Sequence, residues 1–540
     1  MNAPGLAVPV AEAAPKANKW LVTASVSFGT LMGTIDASIV NVALGHIRGT
    51  VGATVEEITW ISTGFAVATI LVMPLTAFLG RLFGQKRVDL ASLVLFLVGS
   101  ALCGLARSLE TLVVFRVIQG FGAGALQPTE QAILRQTFPP KEQGMAMALF
   151  ALAILIGPAV GPTLGGWIVD HYAWPWIFYI NLPVGVLGLV MVMTFVHEPA
   201  DILEANRKAA VLVRKHLDWV GISLLAIGLG SLQYVLEEGN RNDWFQSHRI
   251  TLFALVAAVA LAAFTIRELT AVAPAVDLSL FKDRVFLSGT LVSGLMFAML
   301  ISLTFLLPVF MQELLGFTAM QSGLALMPRT LVMMVLIPTV GRLYNRVSPQ
   351  ILVVIGVAAF VTSAWMMGHY TLDTSARGVV AALMVQGIGF ACLMVPLNTL
   401  ALAQIPRHKL TDATGLNSLL RQVGGSIGLA SFATLLSRYG VVARASVGQH
   451  LTTTDPMVNA RLGALASGMA QRGLDPVTAQ GAAVRMLSGL VARQSMVLAF
   501  ERVFTLAGLC FLIALPFVFF LRRPGVVPVA AHPSEVHVEM

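Results

Sequence analysis

Five ionisable residues stand inside long apolar runs of this 540-residue chain: Asp36, Arg116, Glu130, Arg329 and Arg421. An ionisable group at membrane depth is costly and marks a functional position by default. Removing a carboxylate from water favours its neutral form. Asp36 and Glu130 are therefore candidates for reversible proton binding or for holding a cationic ligand. The competing reading makes Asp36 a structural carboxylate, paired across helices or hydrogen-bonded to Ser38 or Asn41. Glu130 competes with a solvated position near a helix end, paired with Arg135. Arginine stays charged, so Arg116 cannot itself carry a proton. It can tune a nearby carboxylate, hold water, or snorkel to an interface. Arg116 and Glu130 lie about 40° from a shared helix face and about 21 Å apart along the axis, too far for a direct pair. Arg329 and Arg421 can counter a carboxylate, attract an anionic ligand, or tie helices together.

The elements holding these residues must be membrane helices. The chain is 56% hydrophobic and 11% charged, with mean hydropathy +0.80, whereas soluble proteins are about 25% charged. Each apolar run is long enough to cross a hydrocarbon core about 30 Å thick. Fourteen spans are expected, at 20–45, 57–80, 88–107, 111–134, 143–167, 175–196, 217–236, 250–267, 286–312, 320–341, 350–369, 377–403, 412–436 and 498–521. The net charge of +8 reflects basic residues gathered in alternate loops, among them Arg81, Lys86, Arg87, Arg214, Lys215, Arg407 and Lys409. By the positive-inside rule these loops and both termini are cytoplasmic, which explains the basic balance without a nucleic-acid partner. The first residues lack a secretory leader's cleavable apolar core. Cys103, Cys392 and Cys510 have no metal-ligand spacing, so no metal site is expected. Neither HExxH, a clustered His/Cys ligand set nor a phosphate-binding P-loop occurs, so an enzyme or an ATP-driven pump is not expected.

The chain repeats itself. Gln119-Gly120-Phe121-Gly122 precedes Pro128 in span 4, and Gln386-Gly387-Ile388-Gly389 precedes Pro396 in span 12. Gly80-Arg81-Leu82-Phe83 follows span 2, and Gly341-Arg342-Leu343-Tyr344 follows span 10. Both pairs are eight spans apart, as two six-helix bundles separated by two extra helices require. The second repeat has Leu383 in place of Arg116. The expected organisation is a tail 1–19, a six-helix bundle 20–196, a linker with two spans 197–285, a second bundle 286–521 with a long outer loop 437–497, and a tail 522–540. That loop is long enough for one or two amphipathic helices, and it is read as a solvated cap or a contact for an envelope partner. Trp244 and Glu313 are read as interfacial.

Span 5 carries Gly157, Gly161, Pro162, Gly165 and Gly166. Gly and Pro cost about 1 and about 3 kcal/mol in a soluble helix but let membrane helices approach closely. This pattern resembles the antiporter motif of the major facilitator superfamily, which marks exporters. Leu112, Arg116, Gln119, Gly120, Gly122 and Ala123 fit that family's fourth-helix pattern, and Asp36 to Leu44 fits the first helix of its fourteen-span drug:proton antiporters. Trp176 to Gly185 is similar to the start of their sixth helix. The chain from about 20 to 521 resembles the EmrB/QacA-type branch. The resemblance implies an all-α major facilitator fold in the cytoplasmic (inner) membrane and export of small amphipathic compounds by alternating access. Its energy source is the proton gradient, with no cofactor. It places Arg116 at a proton-coupling position, with Asp36 and Glu130 as proton or substrate sites. Besides substrates and membrane lipids, it admits a periplasmic adaptor and an outer-membrane channel as partners. A dedicated exporter of one metabolite or lipid-like compound is the alternative. The loop 77–87, with Gly80, Arg81, Gly84, Lys86 and Arg87, matches the family's loop between helices 2 and 3 but carries Arg81 where Asp is usual. The charge–dipole latch attributed to that Asp cannot be copied onto Arg81.

Overall fold

The computed structural model of the chain describes residues 18–139, 142–215, 218–271, 274–344, 346–449, 451–452, 455–513 and 515–518. The expected tail 522–540 and most of 1–19 lie outside these residues, as does the side chain of Pro162. All regular elements among the described residues are helical. Hydrocarbon offers no partner to a free N–H or C=O, and a helix satisfies both internally. Among the described residues, fourteen helices are long and apolar enough to span a membrane. They are α1 (Lys19–Val51), α2 (Trp60–Phe83), α3 (Gln85–Leu105), α4 (Leu109–Thr137), α5 (Gln143–His171), α6 (Trp176–Phe195), α7 (Trp219–Glu238), α8 (His248–Thr270), α9 (Arg284–Leu314), α10 (Met320–Leu343), α11 (Pro349–Met367), α12 (Ala376–Ala401), α13 (Arg407–Gln449) and α14 (Pro476–Phe517). The end of the bundle that carries Lys19, Arg81, Arg135 and Arg407 is called the basic face below.

Glycines set the packing, and they set it twice. A β-carbon at Gly120 of α4 would lie 2.6 Å from the Phe65 carbonyl oxygen of α2, and one at Gly122 would lie 2.5 Å from the Phe96 nitrogen of α3. In the second half, Gly387 of α12 meets the Arg329 carbonyl of α10 at 2.8 Å and Gly389 meets the Phe360 nitrogen of α11 at 3.0 Å. The repeated Gln-Gly-x-Gly is therefore a repeated three-helix contact. The same holds for α5 on α1 and α13 on α9. Gly157 would meet the Thr34 carbonyl carbon at 2.5 Å, and Gly424 would meet the Gly294 oxygen at 2.4 Å. Helix α7 stands between the halves, with α8 packed on it. Trp60 stacks on Tyr234 with centroids 5.8 Å apart, and Gln233 donates to Ser426 Oγ of α13 at 3.0 Å.

Three expectations are corrected. The loop expected at 77–87 is a single-residue break. Helix α2 runs to Phe83 and α3 starts at Gln85, with only Gly84 between them at φ 89°. Glycine is required there twice over, since a β-carbon would also sit 3.0 Å from Glu198 Oε1. The outer segment 437–497, read as long enough for one or two amphipathic helices, holds one separate helix, Pro456–Ala470, and otherwise mostly extends its flanking spans: α13 continues to Gln449 and α14 begins at Pro476. Arginines such as Arg438, Arg444 and Arg485 interrupt the apolar pattern without interrupting a run rich in good helix formers. Trp244 is half-buried, its indole N–H donating to Thr434 Oγ1 at 2.9 Å; it ties the α7–α8 connection to α13.

Two glycines of one motif should differ in their tolerance of alanine. Overpacking a close contact costs about 1–3 kcal/mol, so Gly157→Ala should lower the apparent melting temperature of the purified protein. A β-carbon at Gly166 meets nothing within 4 Å, so Gly166→Ala should leave melting unchanged. Equal shifts would contradict this packing.

Candidate functional site

Asp36 sits midway along α1 with no exposure to solvent, and Arg116 of α4 is 1% exposed. Arg116 Nη1 donates to Asp36 Oδ2 at 2.6 Å. Asp36 Oδ1 accepts from Gln119 Nε2 at 2.9 Å and from Asn181 Nδ2 of α6 at 2.8 Å. Arg116 also donates to Gln119 Oε1 at 2.8 Å and, through Nε, to the Ile61 carbonyl of α2 at 3.3 Å. The guanidinium lies 4.0 Å from the centre of the Phe65 ring, a cation–π contact strengthened by desolvation. Asn181 donates to Ser100 Oγ of α3 at 3.0 Å. One buried ion pair thus gathers α1, α2, α3, α4 and α6. Ser38 and Asn41 are not its partners; Asn41 instead accepts from Ser62 Oγ at 3.0 Å. Arg116 does not snorkel.

The glycine motif lies directly behind this pair. Gly157, Gly161 and Gly165 press on Thr34, Ser38 and Ile39 of α1, the residues flanking Asp36. Any shift of α5 is felt by the segment carrying the carboxylate. Glu130 is also fully buried. Its Oε2 accepts from the Thr30 N–H at 3.0 Å and from the Thr30 hydroxyl. It is not paired with Arg135, which five residues on points about 140° around the helix. Arg135 donates instead to Gln143 and, at 2.7 Å, to the Thr399 carbonyl of α12.

The second half holds cations without counter-ions. Arg329 donates to Gln386 Oε1 at 3.1 Å and to Thr304 Oγ1 at 3.3 Å. Arg421 donates to Asn398 Oδ1 at 3.2 Å and Ser418 Oγ at 3.0 Å, with Phe297 5.1 Å below its guanidinium. Neither meets a carboxylate among the described residues. Gln386 is the repeat counterpart of Gln119, so each half sets a guanidinium on this glutamine. In the first half it comes from α4, and in the second from α10. The glycine register also puts Met296 where Asp36 stands.

At the basic face the halves are tied together. Arg81 Nη1 donates to Asp412 Oδ1 of α13 at 2.8 Å, and Nη2 donates to the carbonyls of Pro274 and Ala275 at 3.1 and 3.2 Å. Gln85 donates to Thr411 Oγ1. Arg407 donates to the Gln136 carbonyl at 2.6 Å, and Thr414 Oγ1 to the Pro128 carbonyl at 2.9 Å. Lys86 and Arg87 take no part in this tie. The Lys86 amine donates to the Met193 carbonyl at 2.8 Å, and Arg87 is exposed. Lys409 pairs with Asp277 at 2.7 Å. Half-burial would raise the Asp277 carboxyl, but the hydrogen bonds from Lys409 and Ser279, together with the Lys409 charge, outweigh it and hold the group below its ordinary range. That tie is therefore present at neutral pH and lost as pH falls through the lowered value. A residue at the usual Asp position thus does hold the halves together, with Arg81 as the cation and Asp412 as its partner. Asp412 and Asn181 escaped the sequence reading as site residues. Asp412 falls at an expected span edge, and Asn181 lies within a motif that was read only as a family mark.

A family model described as Major Facilitator Superfamily matches residues 26–429. The multidrug export protein EmrB of Haemophilus influenzae is 34% identical over 505 residues, covering 93% of this chain and 96% of that relative. EmrB of Escherichia coli is 32% identical, covering 93% and 95%. The fatty acid resistance protein FarB of Neisseria gonorrhoeae is also 32% identical, covering 93% and 96%. Among solved structures, the human organic anion transporter MFSD10 aligns with TM-score 0.58 at 15% identity, covering 93% of this chain and 99% of that one. The proton:xylose symporter XylE aligns at TM-score 0.58 and 13% identity, covering 93% and 95%. At these identities the structures speak to the fold.

The basic-face tie can be tested by charge exchange. Arg81→Asp sets two carboxylates together and should open this face; adding Asp412→Arg should close it again. The readout is thiol labelling of a Thr414→Cys reporter in a chain whose three cysteines are replaced by alanine. Labelling should rise in the single variant and fall back in the exchanged pair. Equal labelling throughout would contradict the tie.

Proposed function

The chain belongs to the major facilitator superfamily, and on that premise we propose that it exports small amphipathic compounds from the cytoplasm in exchange for protons. The observation that carries this reading is the fully buried Asp36–Arg116 pair with the antiporter glycines packed behind it. It is joined by likeness over most of the chain to relatives named as multidrug exporters. The basic face is the cytoplasmic face of the inner membrane by the positive-inside rule, and both termini lie there. The conformer with a tied basic face is then outward-facing.

In this state Asp36 accepts three donors. Proton entry from outside neutralises Asp36 and frees Arg116 from its partner. The five helices that the pair gathers repack, α5 moves against α1, and substrate leaves outward. Opening of the basic face returns the proton to the cytoplasm and restores substrate binding. Arg116 tunes the carboxyl and carries no proton itself.

A second reading concerns the substrate's charge. Arg329 and Arg421 are buried cations paired only with neutral groups, and one relative is named for fatty acid resistance. Both favour a substrate with an acidic head and an apolar body, handled either as one of many or as a dedicated cargo. The extensions of α13 and α14, which expose Val441, Val442, Val477 and Val484, suit an envelope partner such as a periplasmic adaptor leading to an outer-membrane channel.

The test is efflux of acidic, neutral and cationic lipophilic compounds from pump-deficient cells, with and without a protonophore. Protonophore-sensitive efflux should appear with wild type and fall to the level of empty cells with Asp36→Asn at equal membrane expression. Arg329→Gln should lose the acidic compounds first. Efflux that ignores the protonophore and survives Asp36→Asn would overturn the proposal.

A further inference from the structure

A second carboxyl lies beside Glu130, and nothing above uses it. Asp89 is on α3, two turns from Phe96 toward the basic face. The close antiparallel contact of Gly122 with Ser92 and Phe96 brings that turn of α3 alongside the part of α4 beyond Leu126. Side chains on a helix lean toward its N-terminus, so Glu130 reaches back to the same level. Both residues have no exposure to solvent. Glu130 Oε2 is held by Thr30, but Glu130 Oε1 and both oxygens of Asp89 have no donor among the described residues. Gly29 makes the space: a β-carbon there would sit 2.1 Å from Glu130 Oε1 and 3.2 Å from Leu93 of α3. The two carboxyls thus share the buried α1–α3–α4 junction.

Among the described residues, no cation balances them. On α1 the neighbours are Gly29 and Thr30. On α3, Lys86 donates to Met193 and Arg87 is exposed. On α4, Arg135 is committed to Gln143 and Thr399, and Arg116 to Asp36. On α2, Arg81 serves Asp412, and the carboxylate of Glu198 beyond α6 accepts from the Lys86 N–H at 2.6 Å. An unpaired buried carboxylate is far too costly to persist, and two of them oppose each other's ionisation. The unpartnered oxygens thus call for a proton.

We propose that Asp89 and Glu130 form a carboxyl pair that holds a bound proton in the state with its basic face tied, at a site separate from Asp36–Arg116. The O–H of one carboxyl donates to an oxygen of the other, and Thr30 and Gly29 position Glu130. The site deepens the proton-coupled reading and rests on it for its role in transport. It also lies directly behind the tie, since the Pro128 carbonyl two residues before Glu130 accepts from Thr414 of α13. Separation of α13 from α4 opens this end of α4 to water, where the proton leaves. The next proton must come from the outer side, so that each cycle moves it inward.

The direct test is infrared difference spectroscopy of the purified full chain between about pH 5 and about pH 9. The wild type should show the carbonyl band of a protonated carboxyl in apolar surroundings at neutral pH. Asp89→Asn with Glu130→Gln, which are neutral and nearly isosteric, should lose that band and melt at or above the wild-type temperature. The same variant should bind substrate but export it at a rate that has lost the wild-type pH dependence. An identical band in wild type and double variant, or no band in either, would overturn the bound proton. Loss of the band with an unchanged pH profile of efflux would overturn its role in transport. A band that behaves as expected in a protein exporting nothing in a proton-dependent way would leave the pair standing and remove the transport reading instead.

Discussion

A charge cannot be left alone in hydrocarbon, and this molecule is arranged around that constraint. The ion pair of Asp36 and Arg116 satisfies it at the centre of the first bundle, with Gln119, Asn181, Ser100 and the Ile61 carbonyl completing the polar shell. Breaking such a pair by removing one member costs about 3–5 kcal/mol, because the survivor is stranded. The pair therefore fixes where five helices can sit, and any event that neutralises Asp36 changes the best arrangement of all of them. On the proposed function, local protonation and global rearrangement would be linked through this one contact.

The two halves share their packing and differ in their charges. The glycines of α4 and α12 make the same approaches to their neighbours, as do those of α5 and α13. Upon this common scaffold the first half carries a balanced pair and two carboxyls, and the second half carries two arginines bonded to amides and hydroxyls. Close packing fixes a scaffold that tolerates little change, whereas the polar groups at its seams differ between repeats. At the basic face, Arg81 and Asp412 join the halves with an ion pair where the family resemblance implied a carboxylate and a helix dipole.

Much of this was legible in the sequence, for reasons that can be named. The bilayer demands long apolar helices, so all fourteen spans announce themselves. Asp36, Arg116 and Glu130 stand out because each is a charge inside a long apolar run. Their partners do not, since Arg116 meets a residue 80 positions away and pairing across helices leaves no local trace. Asp89 and Asp412 were hidden differently. Each lies at the expected edge of a span, where a charge is ordinary, and only the true helix starts at Gln85 and Arg407 bring them inside. The long extensions of α13 and α14 were missed because hydropathy reports contact with lipid, and helicity continues where that contact ends.

The central claim is that Asp36 and Arg116 act as one unit on which the first bundle depends. A double-mutant cycle on the purified protein tests it directly, using the apparent melting temperature in detergent of Asp36→Leu, Arg116→Met and the two combined. Each single change should strand a buried charge and lower the melting temperature sharply, and the double variant should melt well above the sum of the two losses. Additive losses would show that the two residues contribute independently, and the account built on their pairing would fail.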